Sequence, residues 1–158
     1  MLVADGNMMR ARGFTLIEAL VVLSIVAVVL AIGAPNLSFL IGSMNARSAS
    51  FDLIADLALA RSEAIKRNAP VTVEPLVAGN WAQGWRITAG AATLRQREAL
   101  PTALTVVGAA NVQFRPNGRT GADTATANAT WAITSSNATP RCVVITPTGA
   151  ARSKVGAC

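Results

Sequence analysis

Residues 13–35 read GFTLIEALVVLSIVAVVLAIGAP, and their interpretation decides what kind of chain this is. From Phe14 to Ala34 there is one charge, Glu18, and no proline. At about 1.5 Å per residue, a helix of that length reaches roughly 30 Å, the thickness of a bilayer core. The preceding stretch, MLVADGNMMRARG, places Arg10 and Arg12 next to the apolar edge, which holds that end in the cytoplasm. Glu18 is the anomaly. A carboxylate in the first turn of a lipid-embedded helix costs about 3 kcal/mol or more unless it finds a partner. A plain anchor helix leaves Glu18 unexplained. So does a secretory signal cut near Ala31-Ile32-Gly33-Ala34, where small residues follow the apolar run. A third reading gives it a partner. Cleavage between Gly13 and Phe14 creates a new α-amino group four residues ahead of the glutamate. The ammonium of a docked subunit would then neutralise the carboxylate of an incoming one.

The remaining composition narrows the chemistry. The chain has 158 residues, 52% of them hydrophobic and 14% charged, with neither His nor Tyr. Without histidine there is no Ser-His-Asp or Cys-His pair, no HExxH zinc site and no imidazole acid–base group. Two cysteines cannot make a four-ligand zinc site, and no cofactor or catalytic residue is expected. The net charge of +6 favours acidic partners: anionic lipid, nucleic acid or acidic protein surfaces.

Beyond the apolar run the pattern stays helical, then changes. Pro35 is expected to kink the helix or open its hydrogen bonding locally. From Asn45 to Asn68, Phe51, Ile54, Ala58 and Ile65 recur at spacings of three, four and seven, with Leu57 beside them. They predict a buried face opposite Asp52, Arg61, Ser62 and Lys66, and Asn68 with Pro70 ends the helix. From Val71 onward, runs rich in Val, Thr, Ile and Trp alternate with Gly, Pro and Asn punctuation. Strands are predicted at 71–74, 85–88, 93–96, 104–107, 112–115, 129–134 and 142–146. Turns are predicted at Gly79-Asn80, Ala89-Gly90, Pro116-Asn117-Gly118 and Pro147-Thr148-Gly149. Residues 120–130 read as an exposed loop, and no internal repeat is visible.

The expected fold is α+β. A long N-terminal helix, membrane-spanning in its first half, packs on a small C-terminal β-sheet head. The divisions are a leader at 1–13, a transmembrane and assembly helix at 14–34, an amphipathic continuation at 35–68 and a β-rich head at 69–158. A head this small gains from a covalent staple. Cys142 and Cys158 can supply one in an oxidising compartment, worth about 3 kcal/mol on the chain-entropy model. Two free thiols, with Cys158 frayed, is the alternative.

The segment Gly13-Phe14-Thr15-Leu16-Ile17-Glu18 resembles the processing site of class III signal peptides, found in type IV prepilins and type II secretion pseudopilins. The resemblance implies a pilin-like fold and a prepilin peptidase that cuts after Gly13 and methylates Phe14. It also implies use of Glu18 in filament assembly with other minor and major pilins or pseudopilins. The inner membrane would be crossed once, with the head in the periplasm. The ordered stretches Trp81–Ile87, Val112–Gly118 and Cys142–Gly149 resemble the GspH/FimT (FimU-like) family. That family implies three jobs: initiation or tip position in a type IV pilus, a place in a secretion pseudopilus, and capture of DNA for natural transformation. Arg115, Arg119, Arg141, Arg152 and Lys154, against the single acid Asp123 in residues 99–158, are the candidate DNA-binding set. The family's basic Gly-Arg-x-Arg stretch is matched by Gly149-Ala150-Ala151-Arg152, with Ala150 in place of the first arginine. A solvated basic face that meets acidic neighbouring pilins stays open beside DNA. Trp81 and Trp85 read as core and turn packing or as a base-stacking platform.

Overall fold

The computed structural model describes residues 14–101, 103–121, 129–136 and 138–158, without the side chains of residues 34–36. The leader with Gly13, and most of the 120–130 stretch with Asp123, therefore lie outside the described residues. Helix α1, Leu16–Arg67, begins one residue after Thr15 and does not end at Pro35. Two compact units divide at Leu37 and Ser38. In the first, every described side chain from Phe14 to Gly33 is exposed, and its apolar window has a mean hydropathy of 2.8. By length and composition this helix can cross a membrane.

α1 stops because its sequence says so. Asn68 adopts φ 49°, and its N–H donates to the Ile65 carbonyl. The Ala69 N–H donates to the Ala64 carbonyl, completing a Schellman cap in which Asn68 takes the place usual for glycine. Pro70, lacking an N–H, then cannot continue the helix. Lys66 and Arg67 sit where the helix dipole favours cations.

Eight strands follow: β1 Val71–Val77, β2 Asn80–Ala89, β3 Ala92–Arg97, β4 Leu104–Gly108, β5 Val112–Phe114, β6 Ala129–Ser135, β7 Arg141–Ile145 and β8 Ala151–Val155. They form two antiparallel four-stranded sheets, ordered β3-β2-β1-β5 and β4-β6-β7-β8. Seven match predicted strands. The eighth, ARSKV, carries two cations in five residues, so no apolar alternation marks it in the sequence.

The core holds Trp81, Trp85, Trp131 and Phe114, all essentially buried, against the helix. Trp81 meets the Trp131 ring edge-on at 5.3 Å between centroids, and its Nε1 donates to the Ala109 carbonyl at 2.8 Å. Both tryptophans of the Trp81/Trp85 pair are thus core residues and offer no base-stacking surface. The helix face they meet corrects the periodicity reading. It carries Ala46, Ala49, Leu53, Leu57, Ala60 and Ala64, whereas Phe51 and Ile65 are 51% and 52% exposed and Ala58 is also exposed. Only Leu57 and the half-buried Ile54 turn toward the core as expected. Large indoles from the sheets occupy much of the core, and besides Leu53 and Leu57 the helix contributes alanines to it. Phe51 and Ile65 of the predicted pattern are left outside.

Candidate functional site

Phe14, Thr15 and Glu18 define the start of α1. Thr15 is the N-cap of α1: its Oγ1 accepts from the Glu18 backbone N–H at 3.2 Å. The Glu18 Oε2 accepts in return from the Thr15 backbone N–H at 3.4 Å. This reciprocal pair is a capping box, and it satisfies two of the donors that a helix start leaves open. It also holds the carboxylate where the helix dipole favours negative charge. Glu18 and Phe14 remain exposed, so the carboxylate keeps lone pairs free for a further donor such as an ammonium. Sequence reasoning singled out Glu18 and missed Thr15. The T-x-x-E spacing ahead of an apolar run carries that information.

The five candidate basic residues do not form one cluster. Strand β8 pairs with β7 so that Arg152 lies opposite Val144 and Lys154 opposite Cys142. Alternation puts these four on the outer face of the second sheet. Arg141 lies opposite Ile133 and Val155, on the face shared with the core residues Trp131, Val143 and Ile145. Arg141 therefore points away from Arg152 and Lys154. Arg115 and Arg119 flank a tight turn closed by the Gly118 N–H to the Arg115 carbonyl and the Arg115 N–H to the Arg119 carbonyl, each 2.8 Å. That turn lies against the one leading into β8. The Thr120 N–H reaches the Pro147 carbonyl at 3.2 Å, and Arg61 Nε donates to the Gly118 carbonyl at 3.0 Å. A Cβ on Gly149 would strike the Gly118 carbonyl, and its φ of 78° suits glycine. The structure thus brings Arg115 and Arg119 near the start of β8, with Arg152 and Lys154 further along it.

Cys142 and Cys158 are bonded, with Cα atoms 5.1 Å apart, which ties the C-terminus to β7. Among the described residues, no group of three or more His, Cys, Asp or Glu side chains could hold a metal.

One polar centre escaped the sequence reading. Asp56, 1% exposed, faces the core from mid-helix. Its Oδ2 accepts from Trp85 Nε1 and from Arg97 Nε, both at 2.9 Å, and its Oδ1 lies 3.3 Å from Arg95 Nε. Arg97 also reaches Asp52 at 3.5 Å and lies 5.6 Å over the Trp85 ring. The Asp56 hydrogen bond holds the Arg97 guanidinium above its ordinary pKa, against the opposing effect of burial, with the Asp56 and Asp52 charges adding to the rise. Arg95 and Arg97 alternate on the edge strand β3 and turn inward, a placement that also protects that edge from pairing with other chains.

The chain is similar to known proteins at both ends. Residues 49–149 match the family model of the type II transport protein GspH, and residues 8–34 match the prokaryotic N-terminal methylation motif. Two crystal forms of the type IV minor pilin FimU from Pseudomonas aeruginosa (strain PAO1) share its fold at 28% identity. One has a TM-score of 0.56, covering 69% of this chain and 90% of that one; the other has 0.58, covering 69% and 86%. No curated protein sequence matches the chain. The methylation motif implies processing by prepilin peptidase and assembly with other pilins, and with the apolar helix it marks a membrane-anchored pilus component. A methylated-type N-terminus, a long helix packed on two antiparallel sheets and the GspH match covering most of the head place the chain in one family of structural subunits: it belongs to the GspH family of FimU-like minor pilins and pseudopilins.

Proposed function

We propose that the chain is a minor type IV pilin that acts in filament initiation at the pilus tip. It is cut after Gly13, methylated on Phe14, held in the bacterial inner membrane by residues 14–34 with its head in the periplasm, and drawn into the filament through Glu18. The observation that carries this reading is the exposed Glu18 carboxylate, the single charge between Phe14 and Ala34, held at the first turn of α1 by Thr15. In lipid that carboxylate lacks a countercharge, and the terminal ammonium of a neighbouring subunit supplies one. The intact mass of protein purified from membranes should show loss of residues 1–13 and gain of one methyl group. A first residue other than Phe14 would remove the reading. Glu18→Ala should insert into the membrane and fail to enter filaments. Labelling of the head on sheared pili should decorate filament ends; labelling along the whole length would exclude the tip.

The match to a type II transport protein favours a second reading, a minor pseudopilin in protein secretion. Deletion separates the two: loss of surface pili with intact secretion supports the pilus, and the converse supports the pseudopilus. DNA capture is an added role for Arg152 and Lys154, which share one exposed face, together with Arg115 and Arg119. Two to four phosphate contacts predict a log–log salt slope of about −2 to −4. A gel shift at low salt that is absent for the wild-type chain would end that role.

A further inference from the structure

The geometry points to the free edge of β8, with the helix face beside it, as a docking site for an extended peptide segment that alternates acidic and apolar residues. β8 is the last strand of its sheet. The Thr146 N–H donates to the Ala150 carbonyl and the Gly156 N–H to the Pro140 carbonyl. In this register the even-numbered residues of β8 bond to β7. The backbone groups of Ala151, Ser153 and Val155 consequently point to the open edge. Strand addition at such an edge recruits main-chain hydrogen bonds irrespective of side chains.

The side chains then specify the occupant. A groove of about 440 Å³ lies between α1 and the start of β8, lined by Ile54, Ala58, Ile65 and the Arg61 side chain on one side and by Gly149–Ala151 on the other. Ile65 and Ala58 belong to the apolar helix stripe that the sheets do not cover. A strand added to β8 shares its two faces. On the face of Ala151, Ser153 and Val155, its side chains meet this apolar helix surface. On the face of Arg152 and Lys154, neither of which makes an ion pair among the described residues, its side chains meet two exposed cations. An apolar residue on one side and a carboxylate on the other, repeated, satisfies both. Opposite charges on cross-strand neighbours add to the pairing.

The test uses the full chain in nanodiscs of neutral phosphatidylcholine and a dye-labelled short peptide alternating Val and Glu, followed by fluorescence anisotropy. Saturable binding is expected. A peptide N-methylated at alternate residues, which loses its donors, and a Val-Lys peptide should each bind at least about tenfold more weakly. Ser153→Pro removes an outward N–H and spares the bonds to β7, so it should weaken binding by about tenfold at an unchanged melting temperature. If Ser153→Pro does not fold, Ile65→Glu carries the decision, because it puts a charge into the apolar groove that the peptide's Val side chains enter and should weaken binding similarly. Equal binding of the N-methylated peptide would reduce the site to charge alone and overturn the proposal. Absence of saturation at about 1 mM would overturn it too. So would self-association of the chain without peptide that Ser153→Pro abolishes, because the edge would then belong to a second copy.

Discussion

Asp56 shows how much a single side chain can decide. A buried carboxylate is tolerated here because one indole N–H and two guanidinium groups surround it. Asp56→Ala leaves Trp85 Nε1 without its acceptor and Arg97 with only the more distant Asp52 carboxylate, and should cost about 3 kcal/mol in chemical denaturation of the full chain. Because the Arg97 pKa is raised, its contribution is complete below the ordinary arginine range and is lost only as pH rises through the higher folded value. Glu18 makes the complementary case. Glu18→Gln keeps the acceptor that the capping box needs and loses the charge. If neutralisation of the carboxylate drives assembly, Glu18→Gln should enter filaments as poorly as Glu18→Ala. Wild-type incorporation would mean that capping alone matters.

α1 shows how periodicity identifies an element yet assigns the wrong face to the core. The spacing of Phe51, Ile54, Ala58 and Ile65 correctly marks a helix. The buried face nevertheless carries Ala46, Ala49, Leu53, Leu57, Ala60 and Ala64, and of the predicted set only Leu57 and the half-buried Ile54 lie on the core side. Two substitutions test this. Ala60→Leu should overpack the helix–sheet contact and cost about 1–3 kcal/mol, whereas Ile65→Ser should stay within about 0.5 kcal/mol of wild type. The last turn of the helix adds a pH dependence. The Arg67 hydrogen bond, assisted by the Lys66 and Arg67 charges, lowers the Glu63 pKa against desolvation. Its contribution is therefore present above the ordinary carboxylate range and is lost as pH falls through the lowered value. The hydrogen-exchange protection factors at residues 65–68, referred to the intrinsic rates at each pH, should fall on acidification through the lowered Glu63 range. The strands divide along similar lines. Those with β-branched alternation are legible, while β8 exists because β7 offers it a partner, a non-local pairing that its own residues do not announce.

For the molecule as a whole, the Cys142–Cys158 bond closes the C-terminal segment over the outer face of the second sheet. Cys142→Ser with Cys158→Ser should destabilise the chain by about 3 kcal/mol and lower its melting temperature, and reducing agent should do the same to the wild type. An unchanged melting temperature would show that strand pairing alone holds β8. The nature of the chain is legible in local sequence: apolar length, a leading basic segment, one carboxylate at a fixed distance from a Gly-Phe junction, and alternation in most strands. Each of these follows from short-range chemistry, namely the thickness of a bilayer, the cost of an unpaired charge in lipid and the period of a pleat. Only the tertiary structure decides which helix face is buried, what Asp56 is bound to and which arginines share a surface. Those outcomes depend on register and on the volume of side chains distant in sequence, and neither quantity is written in any one segment.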